Sequence, residues 1–156
     1  MKVYIPPKGI YFSYPTLVAV ITSHFNGRSN VMSAAWHTAL SFEPMLYGIA
    51  IAPIRFTHRF IERSGEFTVN FLPFDKAHLI TLVGRTSGKE VDKFSEFKLE
   101  TISPVKVKAP ILMGAYAAYE CKVILKVKTG DHTFFVGEVL ASHKKRAPSL
   151  KTVYLI

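Results

Sequence analysis

Asn30 to Ser64 reads NVMSAAWHTALSFEPMLYGIAIAPIRFTHRFIERS, and the rest of the chain is understood outward from it. The stretch opens on small and hydroxyl-bearing residues around the only tryptophan, Ser33-Ala34-Ala35-Trp36-His37-Thr38, and runs to Ser41. After Glu43-Pro44 it becomes an almost wholly apolar strand, Leu46 to Ala52. It closes on Arg55-Phe56-Thr57-His58, where Thr57 reads as the N-cap of a short helix that runs to Ser64 and stops at Gly65. An arginine just before a helix start makes an anion seat, since free backbone N–H groups and the positive dipole end point the same way. One segment thus offers a slot for a ring system and a socket for a phosphate.

Composition narrows the alternatives. The chain has 156 residues, 49% hydrophobic and 20% charged, with nine Gly and nine Pro scattered along it. That is a globular composition in one domain spanning 1–156, long enough to bury roughly 70% of its unfolded surface. No apolar run approaches the roughly 20 residues a membrane helix needs, and Met1-Lys2-Val3-Tyr4-Ile5-Pro6-Pro7 lacks a signal-peptide core, so a cytoplasmic location is expected. A lone Cys121 excludes an intrachain disulfide and a cysteine-cluster metal site.

The chain carries twenty Lys and Arg against eleven Asp and Glu, a formal net charge of +9. These charges are spread, and His143-Lys144-Lys145-Arg146 is the one tight cluster. No recognition helix or paired aromatic strand signature accompanies them, so nucleic acid is not the expected partner. The excess charge fits solubility and attraction for phosphate-bearing small molecules.

Met1 to Tyr14 reads as an irregular surface arm. Thr16 to Ser23 is a strand apolar on both faces. Asn26-Gly27 is a two-residue hairpin signal, so the next strand returns antiparallel through Asn30 to Ser41. Phe67 to Leu72 alternates as a strand. A second helix is expected from an Asp75 N-cap to Val83, with Leu79, Leu82 and Val83 on one side and Gly84 as its stop. The polar loop Gly84 to Phe94 gathers phosphate-seeking groups a second time, although its plain reading is an exposed connection. Tyr119 to Lys128 has apolar residues at 119, 121, 123, 125 and 127 with mostly charged ones between, a clear period of two. Gly130-Asp131 turns the chain into a partner strand, His132 to Leu140, and Thr152 to Leu155 reads as a last short strand. Seven or so strands, short helices and no βαβ rhythm point to a mainly β fold, an antiparallel barrel with helical additions.

An ordered set of motifs resembles one family. It comprises Asn30-Val31-Met32-Ser33-Ala34-Ala35-Trp36, Ser41-Phe42-Glu43-Pro44 with its apolar strand, Arg55-Phe56-Thr57-His58, Ser64-Gly65-Glu66-Phe67-Thr68-Val69-Asn70, Asp92-Lys93-Phe94, and His132-Thr133-Phe134-Phe135-Val136-Gly137-Glu138-Val139. From about Pro15 to Leu140 the chain resembles the flavin reductase-like proteins, which include flavoredoxins and a ferric reductase. The resemblance implies an FMN-binding split antiparallel β-barrel of Greek-key type with two or more short helices.

The resemblance also implies a site. Asn30, Met32, Ser33, Ala34, Ala35, Trp36, His37, Thr38 and Ser41 would lie along the flavin ring and ribityl chain, where short side chains let a planar ring approach the backbone. Arg55, Thr57 and His58 would seat the phosphate, with Arg85, Thr86, Ser87 and Lys93 arriving from the later loop to share its charge. His132, at a sheet rim, would be the catalytic residue that accommodates the nicotinamide or polarises the flavin. The implied activity is an NAD(P)H-dependent flavin or ferric reductase that passes electrons from NADH or NADPH through FMN to free flavin, a ferric complex or a redox protein. The implied assembly is a homodimer. An FMN-bearing electron carrier of the flavoredoxin kind is the alternative, and a basic β-barrel binding nucleic acid a further one.

Each residue also has a plainer reading. Trp36 suits a core or interface position, Met32 fills gaps, and His37 and His58 suit solvent or backbone partners. His132 alone would be a turn-flanking histidine. His24, His78 and His143 have no carboxylate or second histidine at ligand spacing, so no metal site is assigned.

Overall fold

A computed structural model describes residues 15–145 and the backbone pairing of Tyr154–Leu155. The expected arm Met1 to Tyr14 lies outside these residues, as do Thr152 and Val153 of the expected last strand.

The strands in chain order are β1 (Thr16–Leu17), β2 (Ala19–Phe25), β3 (Arg28–Ala34), β4 (His37–Phe42), β5 (Met45–Ile51), β6 (Glu66–Phe71), β7 (Thr101–Ile102), β8 (Ile111–Leu112), β9 (Ala117–Thr129), β10 (His132–Lys144) and β11 (Tyr154–Leu155). Three helices, α1 (Phe56–Ser64), α2 (Ala77–Arg85) and α3 (Lys93–Glu96), join them. The main sheet has the order β3-β2-β6-β9-β10-β5-β4, and every pairing in it is antiparallel. Its two edge strands are neighbours in sequence, so the sheet curls into a split barrel. A bond from the Ala50 amide to the Trp36 carbonyl, 2.9 Å, ties the segment between these edges to β5. The β1–β11 pair sets Thr16 opposite Leu155.

The Asn30 to Ser41 segment is therefore not one continuous strand. It breaks at Ala35-Trp36, and its halves belong to opposite ends of the sheet. A run of small and polar residues carries no strong pattern of alternation, and the break serves the curvature that an unbroken strand would resist. The hairpin before it forms as its sequence demands, with φ of 50° at Asn26 and 75° at Gly27.

The helix starts differ from expectation. Arg55, not Thr57, is the N-cap of α1, and no side chain bonds there, while Thr57 sits buried in the first turn. Gly65 does end the helix, donating its N–H to the Ile61 carbonyl at 2.9 Å. A 3-10 turn over Phe74–Lys76 takes Asp75 inside it and delays α2, whose N-cap is Lys76. Gly84 lies within α2, and Leu82 is exposed, so Ile80 and Val83 make the buried face with Leu79 packed beside it.

Two apolar clusters hold the molecule. Inside the barrel, Ile21, Ile49, Ile51, Phe67, Val69, Cys121 and Phe135 pack with Ile61 of α1. Outside the sheet, Val18, Val20, Val31 and Leu72 pack with Ile80 and Val83 of α2. Strand β2, buried from Ala19 to Ser23, feeds both, since alternate residues face opposite ways. The long hairpin β9–β10 then runs beyond the packed region, leaving Ile124, Leu125 and Val127 exposed.

Candidate functional site

The free edge of β3 forms one wall of a cleft of about 520 Å³. The start of α1 and the connection from α2 to α3 form the others. Asn30, Met32, Ser33, Arg55, Thr57, Arg85, Thr86, Ser87 and Lys93, nine of the residues singled out in sequence, line it together. Ile54, Phe56, Val83, Gly84, Gly88, Lys89 and Glu90 complete it. Four cationic side chains, Arg55, Arg85, Lys89 and Lys93, face one carboxylate, Glu90, so the cleft is an anion site by charge.

Local bonding explains why these groups converge. Asn30 is buried on β3 and donates its amide to the Thr57 hydroxyl at 2.7 Å, which fixes the first turn of α1 against the sheet. Receiving that bond leaves the hydroxyl proton of Thr57 available to an acceptor. Gly88 brings the second loop in close, because a Cβ there would lie 2.1 Å from Asn30 Oδ1 and 2.8 Å from the Phe56 ring. Arg28 ties that loop down by donating to the Gly88 carbonyl at 2.5 Å, with its guanidinium 5.1 Å from the Phe56 ring centroid. The Ser33 hydroxyl donates to the Ile80 carbonyl, joining β3 to α2.

Lys93 plays a part its sequence motif conceals. It is 4% exposed, and its Nζ donates to the carbonyls of Val31 and Val83 at 2.7 Å each. Burial, and then the charge of Arg55, push its pKa down to about 8. Because Val31 turns its carbonyl outward, antiparallel alternation turns the backbone groups of Ser33 outward as well, and these remain at the cleft edge.

The other named residues lie beyond the lining of this cleft. Ala34 and Ala35 border an adjacent depression that shares Ser33, Gly84 and Arg85 with it. Trp36 packs against His132, ring centroids 4.5 Å apart, and His132 Nδ1 lies 2.7 Å from Asp131 Oδ1. His37 turns inward, with Nδ1 2.7 Å from the Tyr47 hydroxyl and Nε2 3.1 Å from the Leu17 carbonyl, and burial lowers its pKa. Thr38 and Ser41 lie on β4 at the far edge of the sheet. His58 Nε2 is 2.8 Å from Thr133 Oγ1, which connects the helix turn carrying Thr57 to the strand beginning at His132. Burial lowers the pKa of His58 too.

Sequence reasoning passed over Lys89 and Gly88, although both lie in the loop it had marked, and it left His143 without a carboxylate. His143 Nε2 is 2.6 Å from Glu120 Oε1. Glu120 falls among the charged positions of the alternating strand, yet it is fully buried and accepts from the N–H groups of Val105, Lys106 and Val107. Its partners come from an irregular segment that no periodicity reveals.

Comparison with known proteins agrees with this architecture. Residues 11–154 match the model of the flavin reductase like domain. A protein of Archaeoglobus fulgidus is 38% identical over 129 residues, 83% of this chain and 72% of its own length. The crystal structure of an FMN-binding protein from Thermus thermophilus with bound 1-cyclohex-2-enone superposes with a TM-score of 0.83 at 37% identity, covering 92% of this chain and 79% of that one. The flavoredoxin of Desulfovibrio vulgaris (Miyazaki F) gives a TM-score of 0.83 at 25% identity over 93% of this chain and 77% of its own. With the family model matched over residues 11–154 and a relative 38% identical over 83% of the chain, this chain belongs to the flavin reductase-like family.

Proposed function

We propose that the protein binds FMN along the free edge of β3 and is an NAD(P)H-dependent flavin or ferric reductase. The observation that carries this reading is the cleft itself. Hydroxyl groups of Thr57, Thr86 and Ser87 stand among four cations in a volume suited to a cofactor. This donor set fits a phosphate monoester, whose dianion needs cations and N–H or O–H donors from more than one side.

Arg55, Thr57, Arg85, Thr86 and Ser87 would hold the phosphate, and the backbone edge at Ser33 with the small Ala34 and Ala35 would admit the ring. Trp36 and His132 would stand toward the reacting end, where His132 positions the nicotinamide or donates a hydrogen bond to the ring. When bound, FMN supplies hydride acceptance from NADH or NADPH and electron delivery to free flavin, a ferric complex or a redox protein. The chain's own contribution is charge compensation, orientation and an open face for the second substrate. A homodimer is part of this proposal, supported by the exposed Phe42 on β4 and the exposed Ile124, Leu125 and Val127 on β9.

Similarity to a flavoredoxin favours a second reading, an FMN-bearing electron carrier that does not oxidise nicotinamide itself. Anaerobic mixing of the FMN-loaded protein with NADH and with NADPH tests both. Rapid bleaching of the flavin absorbance by either nucleotide is the result expected of a reductase. Bleaching no faster than free FMN alone would leave only the carrier.

A further inference from the structure

Lys93 holds an unusual position for a cation on an anion site, because both bonds of its buried head go to protein carbonyls, Val31 on β3 and Val83 in the last turn of α2. A neutral amine has two N–H groups and a lone pair, whereas an ammonium has three N–H groups. The two carbonyls therefore use every donor the neutral form owns. Protonation decides whether the remaining position on the cleft wall is a donor or a lone pair, and a phosphate dianion is attracted by the first and repelled by the second. We propose that seating a phosphorylated ligand in this cleft takes up a proton at Lys93, which makes Lys93 a positioning residue that favours the phosphorylated flavin and weakens its hold as pH rises.

This inference rests on the flavin reading above and adds to it a proton count and a pH dependence. Several other charged groups line the same cleft as Lys93. Arg55 comes from the β5–α1 connection, Arg85 from α2, and Lys89 and Glu90 from the loop. Asp92, beside it, accepts from the N–H groups of Phe94 and Ser95 and caps α3. Arg28 of β3 is engaged with the Gly88 carbonyl. A pKa near 8 in the free protein leaves both forms of Lys93 populated in ordinary buffers, so the coupling falls in an accessible range.

The sign follows from linkage. A ligand that raises the pKa of a group binds more tightly the more that group is protonated, so affinity falls as pH rises through the free-protein value. Isothermal titration of FMN and of riboflavin near pH 8, in two buffers of different ionisation enthalpy, counts the protons. The wild type is expected to take up about half a proton per FMN and none with riboflavin. Its FMN affinity is expected to fall about five- to tenfold from about pH 7 to about pH 9. Lys93→Met and Lys93→Arg should both lose the uptake, the second while keeping a fixed positive charge, and Lys89→Met should keep it. If Lys93→Met does not fold, the wild type and Lys93→Arg still decide. Uptake that persists in Lys93→Arg, or that riboflavin reproduces, overturns the proposal while leaving FMN binding intact. FMN that gives no binding heat at any pH overturns the flavin reading and this inference with it.

Discussion

Thr57 and Asn30 bury their polar ends against each other, and the cleft depends on that contact. Thr57→Val keeps the shape but strands the Asn30 amide, and an unpaired buried donor costs about 1–3 kcal/mol. Urea denaturation should show a loss of that size, and flavin titration about a tenfold weaker FMN complex, because one hydrogen bond to the ligand goes as well. Unchanged affinity would move the phosphate away from α1. His132→Ala should leave FMN affinity near the wild-type value and slow nicotinamide-driven flavin reduction about tenfold; equal rates in stopped flow would remove His132 from the reaction. The sequence showed which residue types gather here but not their bonding. Lys93 reads as a free cation until Val31 and Val83 are seen on it. Thr57 reads as a helix cap because its hydroxyl suits that task, whereas in the fold that hydroxyl is directed to Asn30.

Among the elements, the strands were legible where the residues of both faces are mostly apolar, as in β2 and β5. The kink between β3 and β4 was not, since its cause is closure of the barrel and not any local preference. Gly88 shows how one loop depends on a single missing Cβ. Gly88→Ala should push the loop off Asn30 and weaken FMN binding about tenfold or more, with little change in the unfolding midpoint if the loop alone moves; an undisturbed affinity would show that the loop has room to give. Glu120 pins the 105–107 segment to the sheet. Burial alone would raise its pKa, but three backbone N–H bonds and His143 outweigh it and hold the carboxyl below its ordinary value. A depressed carboxyl contributes stability above the unfolded-state pKa, about 4.3, and loses it as pH falls through the folded value. Glu120→Gln should therefore destabilise by about 3 kcal/mol near neutrality, and the difference from wild type should shrink below about pH 4. A penalty that is flat with pH would show that packing, not charge, is what Gln lacks.

At the scale of the whole molecule, the barrel supplies a rigid edge, and the two loops packed on it supply the charge. Exposed apolar side chains on β4 and the projecting β9–β10 hairpin include Phe42, 97% exposed, and Leu125, 52%. Sedimentation should find a dimer, and Ile124→Asp with Leu125→Asp should shift it to monomer; a wild-type monomer at every concentration would withdraw the homodimer. The formal charge of +9 draws anions toward the molecule from every side, so salt alone is expected to weaken FMN capture. The direct test of the central claim is gel filtration of the purified protein after incubation with FMN, read by visible absorbance. The expected result is a yellow protein peak that retains flavin in stoichiometric amount and loses it in Thr57→Val. A colourless protein peak, with all FMN eluting as free small molecule at low salt, would contradict the claim that the edge of β3 is a flavin site.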